Sequence, residues 1–217
     1  MGRTNQSNGA ATRDPERSRG RILAAALREF AAKGFAGARV DEIARRAAIN
    51  KRMLYHYFGD KEGLFREVLR RKISERGAVA SAASDDPVEN LPFWFEFTCK
   101  DADWLRLLEW EALQTADDAV IDGKKRREAM AQGLARIRRR QRSGHVTREF
   151  DARHLMLAMQ SLTMFPLAFP QVTRQIMGRS VFDQRFRRER MDFLRRFAAA
   201  FRPAGRGNGG QQSRRKT

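Results

Sequence analysis

The chain has a single cysteine among its 217 residues, Cys99, so it cannot form an intrachain disulfide, and nothing in it demands an oxidising compartment. It also lacks any apolar run near the ~18 residues needed to span a bilayer. The opening stretch MGRTNQSNGAATRDPERSRG has no apolar core and does not read as a secretory signal. These absences point to a cytoplasmic protein with no membrane partner. Its three histidines, His56, His145 and His154, lie far apart, and there is no metal-ligand spacing, glycine-rich phosphate loop or nucleophile motif. No metal, no other cofactor and no enzymatic chemistry is expected on that reading. Acid is scarce too: 26 Asp+Glu stand against 44 Lys+Arg, a net charge of +18 and a pI of about 11.3. Such an excess favours polyanions, nucleic acid or an anionic membrane, without choosing between them. Charge per residue is highest at the two tails and in the N-terminal helices.

Hydrophobic residues make up 41 %, enough to bury the core of one large domain or two small ones. Asp14 before Pro15 signals a helix start, and Ile22, Leu23, Ala26, Leu27 and Phe30 then recur at helical spacing as far as Lys33, where Gly34 closes the helix. A second helix buries Val40, Ile43, Ala44 and Ala47. Asn50 caps a third, with Ile49 and Leu54 placed as a hydrophobic staple, and Gly59 ends it. Asp60 caps a fourth, expected to run to about Glu75. The small, polar segment from Gly77 to Pro87 then reads as a boundary. Beyond it the pattern predicts helices from Pro92 to Cys99, from Trp104 to Gln114 and over 124–142, the last strongly basic and stopped by Gly144. Two closing helices carry the stripes Leu155, Ala158, Leu162, Phe165, Phe169 and Leu194, Phe197, Ala198, Phe201. No strand and no internal repeat is evident. The expected fold is all-α: a flexible basic arm over 1–16, a three-helix unit with a helix-turn-helix over 17–62, a larger helical domain over 63–202, and a flexible basic tail over 203–217.

The stretch VDEIARRAAINKRMLYHYFGDK, Val40 to Lys61, carries the most information. Two short helices joined by a tight turn suit the major groove of DNA, and the second opens with Lys51 and Arg52 and bears Tyr55, His56 and Tyr57. Arginine binds guanine O6 and N7 in a bidentate way, so Arg52 is assigned to base reading and Lys51 to base or phosphate. Cations at a helix N-terminus oppose the helix dipole, and DNA phosphate would compensate them. Leu54 and Phe58 take the core side. That leaves Tyr55 and His56 nearer the groove, with Tyr55 as a phosphate ligand and Tyr57 partly packed. Lys61 and the amides that open the fourth helix form a candidate phosphate grip. Arg13, Arg17, Arg19 and Arg21 form either an arm reaching a groove or a merely soluble stretch.

From about Arg17 to Leu69 the chain resembles the DNA-binding domain of the TetR family of bacterial transcriptional regulators. The carrying residues are Ile22, Ala25, Ala26, Phe30, Gly34, Phe35, Ile43 and Ala44, then Leu54-Tyr55-His56-Tyr57-Phe58, Lys61-Glu62 and Leu64-Phe65. The C-terminal half agrees in organisation, and its two closing helices resemble the family's dimerising pair. The resemblance implies an all-helical homodimer on a partly palindromic operator, with a small-molecule effector in the C-terminal domain releasing the DNA. It also sets the departures in relief. Ala38 and Arg39 stand where the family has Thr or Ser, so Arg39 is assigned a phosphate contact. Ala48 replaces a turn glycine, and Arg52 and Met53 change the reading positions.

In the C-terminal half, aromatics and methionines suit either core packing or a ligand cavity. The ligand candidates are Phe97, Cys99, Trp104, Leu108, Met130, His154, Met159 and Thr163, and Gln160 joins them as a polar group among apolar neighbours. Leu155, Ala158, Leu162, Phe165, Leu194, Phe197 and Phe201 are the expected dimer interface. The basic helix 124–142 reads as a solvated face. The reading these features favour is a DNA-binding regulator, a repressor released by an effector. Two rivals remain open: an architectural DNA-binding protein without a ligand, and a helical ligand-binding protein or enzyme with a vestigial head.

Overall fold

A computed structural model describes residues 15–114 and 120–202. Among them are ten helices and no strand: α1 (Pro15–Gly37), α2 (Val40–Ala47), α3 (Lys51–Phe58), α4 (Lys61–Ala82), α5 (Pro87–Lys100), α6 (Ala102–Gln114), α7 (Gly123–Arg142), α8 (Ala152–Ala168), α9 (Pro170–Met177) and α10 (Gln184–Ala199). The tails over 1–14 and 203–217 lie outside the described residues. No single described helix is long and apolar enough to cross a membrane.

The first four helices are built largely from local signals. Gly34 sits at φ 69° and breaks the helical run of α1. A Cβ there would lie 2.7 Å from the Trp110 ring, so both the dihedral and the close approach of α6 require glycine. At the end of α2, the Ala48 and Ile49 amides donate to Arg45 O and Ala44 O, both at 3.1 Å, the paired bonds of a Schellman turn. Ala48, which replaces a turn glycine, adopts φ 51°, ψ 51°, the left-handed conformation. Asn50 Oδ1 accepts from the Arg52 amide at 2.8 Å and Asp60 Oδ1 from the Gly63 amide at 2.6 Å, so the expected caps of α3 and α4 are in place. Ile22, Ala26, Phe30, Ile43, Leu54, Leu64 and Leu69 are fully buried together, and Phe30 meets Phe65 edge-on at 4.9 Å. The same cluster takes in Trp104 and Leu107 of α6, so the head and the rest of the molecule share one core.

One polar group sits inside that core. Glu29 is fully buried on α1, its Oε1 accepting from Lys33 Nζ at 2.8 Å and from the Arg39 amide at 3.3 Å, with Arg46 3.7 Å from Oε2. Burial pushes its pKa up. The hydrogen bonds from Lys33 and the Arg39 amide, with the charges of Lys33 and Arg46, outweigh that and hold it below the usual carboxylate value. Glu29 therefore ties α1 to the start of α2.

The C-terminal half departs from expectation in several places. α4 runs past Gly77 to Ala82, so the expected boundary shrinks to a few residues after Ala82. The extension is held from outside, because Arg136 donates to Ala80 O at 2.8 Å. α5 opens at Pro87, and Pro92, expected as the first residue, is buried inside the helix. α9 was not foreseen. Pro170 opens it, it turns 91° from α8, and the Thr173 hydroxyl donates back to Pro166 O at 3.2 Å. A second core joins Leu91, Phe95 and Cys99 of α5 to Val181, Phe186, Leu194 and Ala198, and a third joins Val146, Leu155 and Phe201.

Two stability changes follow. Ala48→Gly removes the strain of a left-handed alanine and should raise stability by about 1 kcal/mol in urea unfolding. Glu29→Gln should lower it by about 1–3 kcal/mol. The folded pKa of Glu29 lies below the unfolded one, so its contribution is present above the ordinary carboxylate pKa and fades as pH falls through the lower folded value; the Gln variant should lose that part of the acid transition.

Candidate nucleic-acid interface and inner cavity

α3 buries only Leu54 fully and half-buries Phe58, which turns its first residues outward. Lys51, Arg52, Tyr55 and His56 are exposed, Met53 is half-exposed, and Tyr57 is half-buried against the head core. Two tyrosines occur in the whole chain, and both stand on this helix. Among the described residues the Arg52 guanidinium has no hydrogen-bond or ion-pair partner. Lys51 is different: its Nζ lies 2.8 Å from Asp41 of α2, and that hydrogen bond raises the lysine's pKa. The compensating charge at this helix start therefore comes first from the protein's own acid. Arg39 is exposed at the head of α2, its amide bound to Glu29 and its side chain unpaired among the described residues.

Lys61 is more engaged than a free phosphate ligand. Its Nζ donates to Ala36 O at 3.2 Å and stands over the Phe35 ring at 4.9 Å, clipping α4 to the end of α1. The Gly63 amide beside it is taken by Asp60. Arg17, Arg19 and Arg21 are helical in α1 rather than part of an arm, and Arg13 lies outside the described residues. Arg19 pairs with Glu67 and lies over Phe58 at 5.9 Å. With Tyr57, Arg66 and Arg70 it borders a polar cleft of about 350 Å³ beside α3.

A cavity of about 440 Å³ lies between α4, α5, α6, α7 and α8. Of the expected ligand residues, Trp104, Leu108, Met130, Met159 and Thr163 line it, and so does Gln160, whose Nε2 is 3.3 Å from Met130 Sδ. Three do not. Phe97 stands behind the wall, under the Arg76 guanidinium at 5.0 Å. Cys99 is buried in the α5–α10 core, where loss of solvent pushes its thiol up to about 11. His154 is exposed on the first turn of α8, whose cap is Asp151. Sequence reasoning missed Arg76, Arg126, Arg136 and Arg140, which turn into the cavity. Those on α7 had been assigned to a solvated face. Arg126 is drawn inward by Glu111, which is 4 % exposed and bonds it at 2.7 and 3.1 Å.

The two closing stripes are split by burial. Leu155, Leu194 and Phe201 face inward into the second and third cores, and Leu162 packs half-buried against the second. These four do not form an outer face. Ala158, Phe165, Phe169 (48 %) and Phe197 of the stripes are exposed, together with Leu157 (62 %) and Phe193 (44 %), which lie outside them. An apolar surface across α8 and α10 is thus left open to solvent.

The comparisons with known proteins agree with this geometry. Residues 22–68 match the family described as bacterial regulatory proteins, tetR family, and residues 93–196 match a tetracyclin repressor-like C-terminal domain. The HTH-type transcriptional repressor SCO4008 of Streptomyces coelicolor is 32 % identical over 168 residues, 77 % of this chain and 88 % of that protein. The HTH-type transcriptional repressor NicS of Pseudomonas putida is 42 % identical over 64 residues, 30 % of each chain. Among solved structures, the regulator SCO4942 of Streptomyces coelicolor superposes with a TM-score of 0.72 at 27 % identity, covering 86 % of this chain and 99 % of that one. A three-helix head with its reading helix exposed, joined to a helical domain that encloses a cavity, is thus matched along most of the chain by regulators of one kind, and the protein belongs to the TetR family of bacterial transcriptional regulators.

Proposed function

We propose that this regulator is a cytoplasmic repressor that binds a partly palindromic operator as a homodimer and lets go when a small molecule fills the inner cavity. The observation that carries the reading is α4. One unbroken helix holds Leu64 and Leu69 in the head core and Ile73, Arg76, Gly77 and Ala80 on the cavity wall. Occupancy of the cavity and the attitude of α3 are therefore mechanically connected. Arg52 reads a base edge, with Lys51, Met53 and His56 beside it, while Arg39, Tyr55 and Lys61 contact the backbone and Tyr57, half-buried against the head core, borders the same surface. We assign the dimer contact to the exposed face of α8 and α10, around Phe165 and Phe197. Residues 17–62 act as the reading head and 63–202 as the sensor and dimerisation region.

The direct test is fluorescence anisotropy with the intergenic duplex beside the gene and a scrambled duplex as control, over a salt series. Binding about a thousandfold tighter to the first is expected near physiological salt. Equal affinity with equal salt slopes would instead favour an architectural DNA-binding protein, and no binding to any duplex a ligand-binding protein with a vestigial head. Arg52→Ala should cost about 1–3 kcal/mol on the operator and little on the scramble. Arg39→Ala should weaken both duplexes alike and flatten the salt slope by about one. Lys61→Ala should do the same and also lower the melting temperature, because it breaks the clip to Ala36. Phe165→Glu with Phe197→Glu should give a monomer by sedimentation while keeping the helical spectrum; a persistent dimer would move the interface elsewhere.

A further inference from the structure

The chemistry of the cavity wall says more than its size. Among the described residues that line it, four are arginines and one, Asp85, is an acid. Most of the rest of the wall is soft and apolar, with Met130, Met156, Met159, Met164, Trp94 and Trp104, and neutral polar groups such as Gln160 and Thr163 interrupt it. A pocket for a wholly apolar molecule has no need of four guanidinium groups.

Their counterions are too few. Asp101 is shared by Lys72 at 2.7 Å and Arg76 at 3.6 Å. Asp85 is shared by Arg136 and Arg139, and Asp86 by Arg140 and Arg202. Glu111 pairs with Arg126. Positive charge is thus left in excess along this wall. Hydrogen-bond donors are left over as well: Arg126 Nε and Arg140 Nε are buried without a hydrogen-bond partner, and Arg76 Nη1 is buried with only Asp101 Oδ2 near it, at 3.6 Å, too long for a hydrogen bond. An unpartnered buried donor is costly, the more so on a charged group.

Arg76 is the best-placed anchor. The rings of Trp94, Phe97 and Trp104 lie 5.4, 5.0 and 5.3 Å from its guanidinium carbon. Stacking of this kind holds the guanidinium plane and leaves its edge for a planar bidentate acceptor. Burial pulls its pKa below the ordinary arginine value, so the charged form would gain from an anion brought beside it.

We propose that the effector of this cavity is an amphipathic carboxylate: an apolar or aromatic body seated among the methionines and Trp104, with its carboxylate on the edge of Arg76 and within reach of Arg126. This rests on the cavity being the effector site, but not on what binding does to the DNA. A cation of the same shape would meet the arginines head-on, and a neutral analogue would leave their donors unmet.

The test is calorimetric titration of the full chain, without DNA, with two matched series: decanoate, decanol and decylammonium, and naphthoate, naphthol and naphthylmethylammonium. In at least one series the carboxylate should bind about tenfold or more tighter than the alcohol, and the ammonium should bind most weakly. Arg76→Met should reduce the preference for carboxylate over alcohol below about threefold while alcohol binding persists. Arg126→Gln serves as a second variant should Arg76→Met unfold. An alcohol or ammonium that binds as tightly as its carboxylate overturns the proposal on the native chain alone, and so does the failure of both carboxylates at millimolar concentration. Operator release is measured separately by anisotropy. A carboxylate that binds yet releases no DNA would sink the repressor mechanism and leave the ligand class standing.

Discussion

The buried carboxylate of Glu29 is the contact on which the DNA-reading head depends. It is an ion inside an apolar cluster, and such a group is tolerated only where donors surround it. Here the donors come from two places, the next turn of α1 and the backbone at the start of α2, and the charge of Arg46 at the far end of α2 stands 3.7 Å from the other oxygen. The first turn of α2 is thereby fixed at its amide rather than through a side-chain cap, which Arg39 does not provide. With α2 set, the Schellman turn at Ala48 fixes the direction of α3, and Leu54 locks it to the core. The direction in which Arg52 points is the end of that chain of constraints.

Much of this head was legible in the sequence because its signals are local. Asn50 and Asp60 accept from amides within three residues, the Gly59 amide donates to a carbonyl four residues back, and the buried face of each helix follows its own periodicity. Glu29 escaped notice although it lies on the apolar stripe of α1, three residues after Ala26 and beside Phe30. An acid on such a stripe is itself a signal of a buried ionic contact. Lys51 was read as waiting for DNA, and its partner Asp41 is ten residues away on another helix, beyond the reach of helical periodicity.

The sensor half was less legible because its determinants are distant. Gly77 reads as a breaker, yet a contact with Arg136, 56 residues away from Ala80, carries α4 through it. A run of arginines on α7 reads as a wet face, yet Glu111, 15 residues before Arg126, draws one of them inside. Leu155, Leu194 and Phe201 share stripes with Phe165 and Phe197, and spacing alone does not say which part of a stripe meets the chain's own core and which is left open. Met130, Met159 and Trp104 were recognised as cavity candidates from type, whereas the cavity's charge was not, because it comes from residues brought together only by folding.

The ion pair between Lys51 and Asp41 has a bearing on how such a head searches a genome. A lysine already neutralised by its own protein gains little from an arbitrary phosphate, since one carboxylate is merely exchanged for one oxyanion at similar distance. The exchange becomes favourable where a second acceptor, such as a base edge, meets the same ammonium. With Lys51 in the DNA-contacting role proposed for it, Asp41 would weaken the background instead of strengthening the target, a use that suits a protein with so large an excess of positive charge.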